Sequence, residues 1–109
     1  MEFVKVLDTS ELPAGKMVKV VVGGKDVLLA NVAGTYYAIA NRCNHAGGSL
    51  ANGKLEGSIV TCPRHGAQYD VKTGQAVRDA KIVFLNMKVQ GEQSYPVKVD
   101  GTAILVKID

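Results

Sequence analysis

The chain has no tryptophan, only two cysteines, two histidines and three prolines among its 109 residues. So few cysteines exclude a disulfide-stapled secreted scaffold, which needs several pairs in a chain this short. Long apolar runs are also missing, and none approaches the ~18 residues that a membrane-spanning helix requires, so no membrane insertion is expected. Residues 1–6 alternate like a strand and carry Glu2, without the basic and continuously apolar regions of a secretory leader. A cytoplasmic protein is expected, and a reducing cytoplasm favours metal binding over a Cys43–Cys62 disulfide. Clustered charge is absent as well. The net charge of +3 comes from 13 Lys and Arg against 10 Asp and Glu. Its lysines (Lys5, Lys16, Lys19, Lys25 and onward) stand singly rather than in a stripe. A nucleic-acid binder gathers them on one face, so no nucleic-acid partner is expected. The charge supports a mild preference for an acidic partner and nothing more.

What is present reads as one ordinary globular domain spanning residues 1–109, with 47% apolar and 21% charged residues. Helical periodicity is scarce, and short β-rich runs are punctuated by Gly, Asn and Asp. Residues 17–22, 26–32 and 35–40 form a meander of antiparallel strands, turned at Gly23-Gly24-Lys25 and Ala33-Gly34. Residues 9–15 are turn-rich and hold one irregular helical turn. Strand character returns at 55–61 and 68–71, and Asp100-Gly101 marks a hairpin between 95–99 and 103–108. The expected class is all-β, with about nine or ten short strands in a single domain.

Every cysteine and histidine falls in two irregular, glycine-rich segments. They run Cys43-Asn44-His45, then sixteen residues, then Cys62-Pro63-Arg64-His65. Two loops at strand ends can present these four donors to one metal centre, since thiolate and neutral imidazole both suit iron and zinc. The donors alone leave two centres open. Tetrahedral Zn²⁺ would make a structural Cys2His2 interaction module. A [2Fe–2S] cluster would take two cysteines on one iron and two histidines on the other.

The flanking residues distinguish these. Cys43-Asn44-His45-Ala46-Gly47 and Cys62-Pro63-Arg64-His65-Gly66 resemble the two cluster-binding boxes of Rieske proteins, C-x-H-x-G and C-P-x-H-G. Leu50, Tyr69-Asp70 and Thr73-Gly74 fit the residues beyond each box. The resemblance implies a Rieske-like antiparallel β-sandwich with a two-loop cluster-binding subdomain at about 41–74. It implies one [2Fe–2S] cluster per chain, with Cys43 and Cys62 on the inner iron and His45 and His65 on the outer. Gly47, Gly48 and Gly66 would let backbone amides approach the sulfurs, and Pro63 would stiffen the second loop. Asn44, Ala46 and Arg64 would form the partner-docking tip. Neutral imidazoles in place of thiolates raise the potential to roughly −150 to +300 mV, against about −400 mV for plant-type clusters.

Two departures refine the expectation. The bracing cysteines of respiratory Rieske proteins are missing, with Arg64 at the second-box position, which points to the soluble ferredoxin branch. The Ser after the second-box His-Gly is replaced by Ala67, while Tyr69 is kept, so one of two donors to sulfur remains and an intermediate potential is expected. Residues 81–93 do not match the Gly-Pro-rich connection usual in these ferredoxins; Ile82, Phe84, Met87 and Val89 are expected to cover the core. The expected function is one-electron transfer between a reductase and an oxygenase or similar enzyme, without catalysis by this chain. The alternatives are a small subunit of a nitrite-reductase-type enzyme and the zinc module.

Overall fold

The run Val27-Leu28-Leu29-Ala30 has no polar alternation, the pattern of a strand covered on both faces. The computed structural model describes residues 3–42, 49–63, 66–78, 80–82, 85–87 and 93–108, with the side chains at 78, 80–82 and 85–87 excepted. In it, the chain opens with β1 (Phe3–Asp8), a 3₁₀ turn at Thr9–Glu11, β2 (Met17–Val22), β3 (Lys25–Val32) and β4 (Thr35–Ala40). A second 3₁₀ turn at Leu50–Asn52 leads to β5 (Lys54–Glu56), β6 (Ile59–Thr61), β7 (Gln68–Asp70) and β8 (Ala76–Arg78). Then come β9 (Ala80–Ile82), β10 (Leu85–Met87), β11 (Ser94–Tyr95), β12 (Val97–Asp100) and β13 (Ala103–Lys107).

The central sheet runs β11-β4-β3-β2, with all pairs antiparallel. The four residues of this run in β3 are indeed fully buried, and alternate ones serve different cores. Leu28 and Ala30 join Ile39 of β4 against Leu50, Val60, Cys62, Ala67, Tyr69 and Val71 of the small sheet β5-β6-β7-β8 and its loops. Val27 and Leu29 join Ala38 on the other side against Ile104 and Val106 of the sheet β1-β13-β12. Each fully buried Leu or Val contributes about 1.5–3 kcal/mol. The central sheet is thus a shared floor, and one of its faces carries the small sheet with the second box.

The all-β class holds, and thirteen strands lie among the described residues. The number exceeds nine or ten because several pieces are only two or three residues long. The run at 55–61 is a tight hairpin rather than one strand: Gly57 takes φ +62° and Glu56 pairs with Ile59. The final hairpin also turns one residue later than expected. Asp100 pairs with Ala103, so the loop is Gly101-Thr102, with the positive φ of +62° on Gly101. Within 81–93, β9 and β10 form a two-stranded ladder. The side chains of Ile82, Phe84, Met87 and Val89 lie outside the described residues. No helix among the described residues is long and apolar enough to cross a membrane.

Candidate metal centre

Both candidate loops leave the same region of the fold. The first follows β4, and its described ends are Asn41-Arg42 and Ser49-Leu50. Arg42 and Ser49 form a single antiparallel bridge, and the Leu50 amide donates to the Asn41 carbonyl at 2.8 Å. The second loop follows β6. There the Cys62 amide donates to the Ala67 carbonyl at 2.7 Å, and the Gly66 amide donates to the Cys62 carbonyl at 3.2 Å. These bonds tie Cys62 to Gly66 and Ala67 at the two described ends of the loop. Gly66 takes φ +76° with open space where a β-carbon would sit. Left-handed backbone, rather than close approach, is what calls for glycine there.

Cys62 is 1% exposed and shares one apolar cluster with Leu50, the anchor of the first loop. Leu50 and Tyr69 are fully buried in that cluster, while Pro63 is exposed at the surface. A groove opens beside Cys62, bordered by Asn52, Lys54, Glu56, Pro63 and Gln68. The Gln68 side-chain amide donates to the Thr61 hydroxyl at 3.1 Å and stiffens the end of β6, one residue before Cys62. Cys43, Asn44, His45, Ala46, Gly47, Gly48, Arg64 and His65 lie outside the described residues.

Two residues at this site escaped the sequence reading. Asn41, 3% exposed, bonds through its side chain to Ser49 and Ala51. Gly53 lies so close to β6 that a β-carbon there would collide with the Thr61 carbonyl oxygen. The available signals were a polar residue ending an apolar strand two positions before Cys43, and an Asn52-Gly53 pair that reads as ordinary turn punctuation.

The donor chemistry fits an iron–sulfur group. The chain's only two cysteines and two histidines sit in the two boxes. Of these, Cys62 stands buried directly after β6, in apolar surroundings that suit a sulfur ligand. An all-β fold with two such loops on one apolar floor defines a small metal-binding β-module. The chain belongs to the Rieske [2Fe–2S] domain family, whose model matches residues 2–86. It is 36% identical over 98 residues to the ferredoxin component of the naphthalene 1,2-dioxygenase system of Pseudomonas aeruginosa, covering 90% of this chain and 88% of that one. Among solved structures it is similar to the ferredoxin of carbazole 1,9a-dioxygenase from Nocardioides aromaticivorans IC177. The TM-score is 0.83 and the identity 31%, with 97% of each chain covered. A complex of reduced oxygenase and oxidized ferredoxin in carbazole 1,9a-dioxygenase contains a further match, at TM-score 0.79 and 25% identity, covering 95% of this chain and 100% of that one. Family membership decides between the two centres that the donors left open: the cofactor is a single Rieske-type [2Fe–2S] cluster. Its relatives are ferredoxin components, so the chain is an electron carrier and not a catalytic subunit.

Proposed function

We propose that Cys43 and Cys62 hold the inner iron and His45 and His65 the outer one, and that the chain passes single electrons from a reductase to an oxygenase-type acceptor in the cytoplasm. The observation that carries this reading is the burial of Cys62 in the cluster that also anchors Leu50, which sets the feet of both boxes on one floor. When bound, the cluster takes up and returns one electron without making or breaking a covalent bond. The chain's own residues do the rest. Cys62 offers its sulfur from an apolar, water-poor position, and the bonds from Cys62 to Ala67 and from Gly66 to Cys62 hold together the described ends of the second loop beside the exposed Pro63. Gly47 and Gly48 would bring backbone amides toward the sulfurs, Gly66 would let the second loop turn by its positive φ, and Tyr69 would be the remaining hydroxyl donor. Asn44, Ala46 and Arg64 would form the docking tip around the histidines. The whole of residues 1–109 would act as one domain, with 41–74 as its cluster-binding part.

The oxygenase partner is supported by the ferredoxin relatives, which are components of dioxygenase systems. Anaerobic coulometric titration of the loaded chain tests the carrier role. One electron per chain should enter and leave with the visible spectrum restored. Irreversible uptake, or none, would contradict it.

A further inference from the structure

We propose that Asn41 is a positioning residue that clamps the neck of the first ligand loop and so sets how firmly the chain keeps its cluster. The proposal rests on the ligand assignment above. Asn41 follows β4 directly and is 3% exposed. Its side-chain amide donates to the Ser49 hydroxyl at 2.8 Å, and its side-chain oxygen accepts from the Ala51 amide at 2.9 Å. Its backbone carbonyl accepts from the Leu50 amide at 2.8 Å, and its backbone amide donates to the Asp26 carbonyl at 3.1 Å. One residue is therefore bonded to three consecutive residues across the loop and to β3 behind it.

Between the bridged Arg42 and Ser49 lie six residues, among them Cys43 and His45. Whatever path those six take, both of its ends are fixed by Asn41. The clamp also reaches the second loop. Leu50, whose amide Asn41 holds, is packed in the same cluster as Cys62. Loosening the neck would free Cys43 and His45 relative to Cys62 while leaving the sheets intact.

Asn31 provides a matched comparison inside the same molecule. It is 4% exposed and makes two side-chain bonds of 2.8 Å, to the Leu12 carbonyl and from the Gly34 amide. Those bonds shape the β3–β4 turn, away from either box. An asparagine that merely satisfies the core would behave at 41 as it does at 31.

The test uses the cluster-loaded protein and its Asn41→Ala, Ser49→Ala and Asn31→Ala variants. Bleaching of the visible absorbance in excess iron chelator is followed beside the melting temperature and the electron paramagnetic resonance of the reduced form. Asn41→Ala should bleach about tenfold faster, the factor that corresponds to one buried hydrogen bond. Ser49→Ala should bleach severalfold faster, and Asn31→Ala should lower the melting temperature yet bleach at the wild-type rate. Equal bleaching of the two asparagine variants at equal loss of melting temperature would overturn the clamp. If Asn41→Ala does not fold, a wild-type rate in Ser49→Ala overturns it instead. A wild-type chain without a mixed cysteine–histidine signal would overturn the cluster reading, which this comparison keeps separate.

Discussion

At Gly53 the backbone lies so near Thr61 that an added β-carbon would meet the Thr61 carbonyl carbon at 3.0 Å and the Leu50 oxygen at 3.2 Å, besides striking the Thr61 oxygen. All of these are backbone atoms, so no side chain can swing aside. Gly53→Ala must therefore part β5 from β6 one residue before Cys62. Overpacking of this kind costs about 1–3 kcal/mol. The variant should show a lower denaturant midpoint and fewer irons per chain; a wild-type midpoint and full iron content would refute the account of Gly53. Single residues were legible in the sequence where the chemistry is carried by residue type. Cys62, Pro63 and Gly66 were singled out by their spacing, and the roles proposed for Cys62 and Gly66 build on the burial of the one and the positive φ of the other. Gly53 and Asn41 were not, because their partners are eight to ten residues away and glycine and asparagine are common in any loop.

Among the elements, the β3–β4 turn shows how a strand pair is fixed. Val32 pairs with Thr35, so the loop is Ala33-Gly34, with φ of +53° and +94°. Both residues are left-handed, which is the backbone of a type I′ turn. Gly34 adopts it freely, but Ala33 is the only described residue other than glycine with positive φ. Asn31 supports the strained residue by accepting the Gly34 amide at 2.8 Å. Since asparagine tolerates this conformation better than alanine, Ala33→Asn should stabilise the fold by about 0.5–1 kcal/mol. The midpoint of chemical unfolding would rise with unchanged cluster spectra; a fall would mean that Ala33 is not strained. The meander around this turn was readable because β-branched and apolar residues fill the strands and glycine fills the turns. The shorter pieces were not. Two-residue strands such as β11 owe their pairing with β4 to tertiary contact and carry too few residues for a period to show.

At the scale of the whole molecule, the chain carries +3 and spreads its lysines singly, so approach to a partner depends on what stands at the tip. Arg64 is the one charge inside either box. Under the proposed docking mode, Arg64→Glu should slow electron transfer to an acidic acceptor at low salt, and the difference should shrink as salt screens it. Equal rates at all ionic strengths would remove Arg64 from the docking surface. The three-layer arrangement places the second box on one face of the central sheet, with β1, β12 and β13 covering the other. That layering was not legible in sequence, although the unbroken apolar run of β3 required cover on both faces. The central claim is that two cysteines and two histidines share one [2Fe–2S] cluster. It is tested most directly by electron paramagnetic resonance of the dithionite-reduced protein. A rhombic signal with an average g below that of all-cysteine clusters is the result expected. A signal matching all-cysteine clusters, or a colourless protein with no signal after reconstitution with iron and sulfide, would contradict it.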